Sequence, residues 1–263
     1  MEFCLLGSLL VRHGQAEVAV PRGKQRAILA MLLLNADRIV RVDELAEALW
    51  VSGPPPSATV AVQNYVLRLR NTLGAAGRRR IITQPRGYLL RLEAGELDVA
   101  RFEVLLSQAR AAARDRSWHQ AATDAGAALS LWRGEPLADV DATALAAREV
   151  SRLEELRLSA LELRIDADVH LGRHAGVIAE LRQLATTHPL REHLHGLLMT
   201  ALYRDGRQGE ALAAYQAVRQ VLVAELGTEP GARLRELHRQ ILAADPALEF
   251  APAGRQFGAQ HER

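Results

Sequence analysis

A chain of 263 residues with 49% apolar and 24% charged side chains is long enough for two modest domains and has neither the polar excess of a disordered protein nor the apolar excess of a membrane one. Its longest wholly apolar run, Ala27 to Leu34, is far short of the roughly 20 residues a bilayer crossing needs. Met1 to Val11 lacks the basic start and small-residue cleavage site of a secretory signal, so no membrane association and a cytoplasmic location are expected. Cys4 is the single cysteine, which excludes an intramolecular disulfide and a cysteine-based zinc site.

Charge is unevenly placed. Met1 to Asp98 carries 13 basic and 9 acidic residues, and between Leu49 and Leu92 there are seven arginines and no Asp or Glu. One sign of charge over so long a stretch is an electrostatic footprint for a polyanion, most commonly nucleic acid.

In chain order, Phe3 to Val11 and Glu17 to Val20 read as strands around the turn pair His13-Gly14, with Cys4 a small core residue on the first. Gly23 to Asn35 is helical, with Ile28, Leu29, Leu32 and Leu33 as its buried stripe. Its first turn carries Arg22, Lys24 and Arg26, and cations there oppose the helix dipole, so a bound phosphate is expected to benefit from Lys24 and Arg26. A second helix starts near Asp43, its expected N-cap, with Leu45, Ala46, Leu49 and Trp50 as the apolar face. Trp50 is compatible with either a phosphate contact or a cap on the core. Val51 to Pro56, with three consecutive prolines, stops that helix.

A third helix runs from Ser57 to Leu73, with Gly74 as its C-cap. Val62, Val66, Leu69 and Leu73 recur at spacings of four, three and four, which makes one core stripe at 100° per residue. The opposite face presents Val60, Asn64, Arg68 and Asn71, flanked by Gln63 and Arg70 on one side and Tyr65 on the other. Asparagine and arginine pair bidentately with adenine and guanine edges in the major groove. Arg80 to Thr83 and Tyr88 to Leu92 then form a basic hairpin joined by Gln84-Pro85-Arg86-Gly87, and the Arg78-Arg79-Arg80 tract at its base suits the phosphate backbone.

Strands, three helices and a basic hairpin in this order, with Arg68-Leu69-Arg70 in the third helix and Arg86-Gly87-Tyr88 in the hairpin, resemble the OmpR-type winged helix-turn-helix. The resemblance implies that Asn64 and Arg68 face bases, that Thr59, Tyr65, Arg70 and Tyr88 hold phosphates, and that Arg86 reaches toward the minor groove.

From Leu97 to Ala244 the pattern is all helical. Leu171-Gly172-Arg173 and Asp205-Gly206-Arg207 are 34 residues apart, as are Ala179 and Ala213, which is the tetratricopeptide period. Leu131-Trp132-Arg133-Gly134-Glu135-Pro136-Leu137, His188-Pro189-Leu190-Arg191-Glu192, Leu198 to Arg204 and Glu225 to Gly231 are similar to the bacterial transcriptional activator domain. Joined to an OmpR-type winged helix, that domain resembles the Streptomyces antibiotic regulatory protein family. The resemblance implies an α+β winged-helix domain over residues 1–95, an all-α tetratricopeptide-like domain over 96–245 and a flexible tail over 246–263. It further implies a transcriptional activator of a secondary-metabolite gene cluster, a homodimer that binds direct repeats in double-stranded DNA and recruits RNA polymerase holoenzyme.

No enzyme, cofactor or metal site is expected. Lys24 is the only lysine and Gln25 follows it, so a nucleotide-binding G-x-x-x-x-G-K-[ST] loop is excluded. His188, His193 and His195, and the pair His170 and His174, lack a nearby cysteine or carboxylate at metal spacing and read as solvated or capping residues. Two other readings fit the residues: an interaction scaffold whose winged helix contacts protein, and a regulator that binds an effector in its helical groove.

Overall fold

A computed structural model describes residues 1–50, 52–140 and 144–249, with the side chains of residues 144–146 left aside. The chain packs as two compact units, residues 1–107 with 126–160, and residues 108–125 with those from 161 onward.

In the first unit, β1 (Glu2–Cys4), β2 (Leu10–His13) and β3 (Ala16–Glu17) form an antiparallel sheet in which Phe3 pairs with Val11. The continuous Phe3 to Val11 strand expected from hydropathy is broken at Leu5–Leu9. Its cause lies far along the chain: the Asp98 carboxylate accepts the Leu5 N–H at 2.8 and 2.9 Å and the Leu6 N–H at 3.0 Å. The Arg133 N–H donates to the Leu6 carbonyl at 2.7 Å, so this buried backbone is satisfied without a ladder partner. Gly7 sits there at φ 144°, and a Cβ on it would lie 3.0 Å from that of Arg133. The Leu131 to Leu137 stretch therefore packs with the N-terminal strands. Trp132 meets the Phe102 ring edge-on at 5.5 Å, and the Arg157 guanidinium lies 4.9 Å from the Trp132 ring.

Helix α1 (Lys24–Leu34) is buried at every position from Ala27 to Leu33, not only along the expected stripe, which makes it the central helix of the unit. A three-residue strand, β4 (Ile39–Arg41), precedes α2 (Val42–Leu49). Here the expected N-cap is corrected: Arg41 caps α2, its N–H donating to Glu44 at 3.1 Å, while Asp43 lies in the first turn paired with the Arg41 guanidinium. Helix α3 (Ala58–Thr72) gives way at Gly74, φ 65°, to a second short helix, α4 (Gly74–Arg80), that the pattern did not announce. Strands β5 (Ile81–Gln84) and β6 (Gly87–Leu90) follow, and β6 pairs with both β5 and β4.

The rest of the described chain is helical: α5 (Asp98–Arg114), α6 (Trp118–Ser130), α7 (Ala144–His170), α8 (His174–Thr187), α9 (Glu192–Arg204), α10 (Gln208–Leu226) and α11 (Ala232–Leu242). The 34-residue repeat is present in the backbone. Arg173 N–H donates to Asp168 and Arg207 N–H to Leu202, both at 2.9 Å, across Gly172 and Gly206 in left-handed conformation. Ala179 and Ala213, which share the same offset, are both exposed. The buried equivalents are Val177 with Ala211 and Leu181 with Tyr215. A further turn of the same kind closes α5, where Ser117 N–H donates to Ala112 at 2.8 Å and Arg116 takes φ 57° in place of a glycine.

Trp118 stacks on His170 at 3.9 Å, and His170 Nδ1 lies 2.9 Å from the Asp166 carbonyl. The Asp166 carboxylate, by accepting a hydrogen bond from the His170 ring, raises the His170 pKa. His195 Nε2 lies 3.0 Å from the Pro189 carbonyl, just ahead of α9. At the far end of the chain, Pro246–Leu248 forms a 3-10 turn whose Leu248 carbonyl accepts Arg204 Nε at 2.9 Å. Residues 250–263 of the expected tail lie outside the described residues.

Candidate nucleic-acid interface

Helix α3 has two sharply different faces. Ala58, Val62, Val66 and Leu69 are buried, as is Leu73 just past its end. Thr59, Val60, Gln63, Asn64, Leu67, Arg68 and Asn71 are exposed, and Tyr65 is half-buried at the border. At 100° per residue Val60, Asn64, Leu67 and Asn71 occupy the centre of the open face, Arg68 one flank and Gln63 the other. No carboxylate lies in the sequence from Leu49 to Leu92 to oppose an approaching phosphate.

The hairpin β5–β6 turns through two residues, Pro85 and Arg86, with Gln84 paired to Gly87. Arg86 is exposed at its tip. Arg70 joins α3 to this hairpin: its guanidinium donates to the Ile81 carbonyl at 2.8 and 3.1 Å and to Thr83 Oγ1 at 2.8 Å. It also lies 5.8 Å from the ring of Tyr88, which is only 6% exposed and whose hydroxyl pKa is raised by burial, against the smaller lowering effect of Arg70.

The structure thus brings Gln63, Asn64 and Arg68 onto one open surface, leaves Thr59 exposed beyond the Gln63 flank in the first turn of α3, and places Arg70 and Tyr88 at the root of the hairpin. Lys24 is elsewhere engaged, its Nζ 3.8 Å above the ring of the half-buried Trp50. Arg26 donates to the Asp139 carboxylate and, at 2.7 Å, to the Val20 carbonyl. The arginine tract divides as well. Arg78 and Arg79 are exposed, whereas Arg80 is bound to Glu96 at 2.5 and 2.7 Å. Leu67, 56% exposed at the centre of the open face, is the residue sequence reasoning passed over; its spacing of seven from Val60 and three from Asn64 was the available signal.

Among the described residues, no helix is long and apolar enough to cross a membrane, and no group of three or more His, Cys, Asp or Glu side chains could hold a metal ion.

Two family models match this chain, "Transcriptional regulatory protein, C terminal" over residues 17–90 and "Bacterial transcriptional activator domain" over residues 97–242. Together with the fold, they define a DNA-binding transcriptional activator with an OmpR-type winged helix. The chain is 39% identical over 257 residues to Regulatory protein DnrI of Streptomyces peucetius, across 95% of this chain and 94% of that one. It belongs to the Streptomyces antibiotic regulatory protein family. Regulatory protein AfsR of Streptomyces griseus is 40% identical, but this chain spans only 26% of its length. Among solved structures, Mycobacterium tuberculosis EmbR in complex with a low affinity phosphopeptide superposes with a TM-score of 0.89 at 37% identity, over 93% of this chain and 65% of that one.

Proposed function

We propose that this activator turns on a secondary-metabolite gene cluster by laying α3 in the major groove of direct repeats near the promoter and recruiting RNA polymerase holoenzyme there. The observation that carries the reading is the open face of α3: Asn64 and Arg68 are exposed on a helix that itself carries no carboxylate. In this reading Asn64 takes an adenine edge and Arg68 a guanine edge. Thr59, Gln63, Tyr65, Arg78 and Arg79 line the path of the phosphates, and Arg86 extends the contact from the hairpin tip. Arg70 and Tyr88 act by holding the hairpin against α3, and Arg26, engaged by Asp139, is left out of the contact set. Two copies bind in the same orientation, as direct repeats require.

Genome-wide footprinting tests this. Bound sites are expected as pairs of like-oriented half-sites, centre to centre about 10 to 10.5 base pairs or a multiple apart, upstream of biosynthetic genes whose transcripts fall when the regulator is deleted. Isolated or inverted half-sites, or occupancy that leaves the adjacent transcripts unchanged, would contradict it.

A further inference from the structure

Two apolar side chains occupy the middle of a face otherwise built of asparagine, glutamine and arginine. Val60 is 58% exposed and Leu67 is 56% exposed, so neither contributes much to the core. The one apolar group that base pairs show in the major groove is the C5 methyl of thymine. We infer that Val60 and Leu67 read thymine methyl groups and thereby set part of the sequence preference; the inference rests on α3 being the groove-entering helix.

The surroundings favour DNA over a second protein as the occupant. Asn64 lies between Val60 and Leu67 on the helix, Arg68 follows Leu67 directly, and neither α3 nor the hairpin strands carry a carboxylate to repel the phosphates of a duplex. Asparagine recognises adenine, and the thymine paired with that adenine puts its methyl in the same groove. Seven helical residues separate Val60 from Leu67 by about 10.5 Å, roughly three base steps at 3.4 Å per step. Each half-site is therefore expected to hold an A·T pair under Asn64, with thymines within about three steps of each other beneath Val60 and Leu67, and a guanine beside them under Arg68.

The test uses the full chain and duplexes it selects from a randomised library, followed by the same duplexes with each thymine replaced singly by deoxyuridine, which removes only the methyl. Wild-type binding is expected to weaken about fourfold at one or two positions per half-site, the size of one buried methyl. Val60→Ala and Leu67→Ala should each weaken the parent duplex and abolish the penalty at one of those positions. Alanine is a better helix former than either residue's exposed position requires, and neither side chain is in the core, so a folding defect is not the expected cause. Selected half-sites without thymine, a wild type indifferent to deoxyuridine, or variants that keep the full penalty would overturn the inference. So would variants that change the sedimentation of the free protein but not the deoxyuridine response, which would assign the face to a second copy. A chain that selects no duplex at all would instead sink the underlying reading of α3.

Discussion

Replacing Gly87 with alanine should cost the first unit about 3 kcal/mol or more and uncouple the hairpin from α2. Gly87 pairs with Gln84 on one side and Arg41 on the other, at the centre of the β4–β6–β5 sheet. A Cβ there would stand 2.0 Å from the Val40 carbonyl oxygen and 2.9 Å from the Arg41 Cα. These are backbone atoms, so no rotamer change relieves the clash, and β4 must move away. The Val42 N–H, which donates to the Arg86 carbonyl at 3.1 Å, would lose its partner in the same movement. Urea melts and duplex titrations should show a lower midpoint and weaker binding to every sequence. An unchanged midpoint would mean that the strands approach less closely than described.

A loss of about 3 to 5 kcal/mol is expected for Asp139→Ala, because it strands a buried charge. Asp139 Oδ1 accepts the Leu9 N–H at 2.7 Å while Oδ2 pairs with Arg26. The two side chains are 10% and 14% exposed, too little for water to replace the lost partner. Removing both charges is a different matter, since apolar replacements of a buried pair are often neutral or stabilising. The double variant Arg26→Met with Asp139→Leu should therefore recover most of the loss. A cost below about 1 kcal/mol for Asp139→Ala, the size of an exposed pair, would contradict this account.

Both residues show where sequence and structure part. Gly87 is visible in the sequence as part of Arg86-Gly87-Tyr88, but the need for glycine comes from β4, a three-residue strand too short to announce itself. Arg26 reads as a free cation at a helix start because its partner is 113 residues away. A separation of 93 residues likewise hides the break at Leu5–Leu9, which depends on Asp98, and the repeat-type turn at Arg116 is hidden by the absence of a glycine. By contrast, α3 was legible almost to the residue, since its Val62, Val66 and Leu69 stripe and its polar face are local properties. What local periodicity left out was Leu67, an apolar residue on the wrong side of the helix for a core.

The central claim is that the open face of α3 reads bases, and the most direct measurement is the ratio of affinities for a selected duplex and a scrambled one, in wild type, Asn64→Ala and Arg68→Ala. Both side chains are exposed, so the fold should tolerate either change. The account predicts that each substitution lowers the ratio by about 1 to 3 kcal/mol, roughly 5- to 150-fold, while binding to the scrambled duplex changes much less. A ratio that stays at the wild-type value in both variants would contradict it.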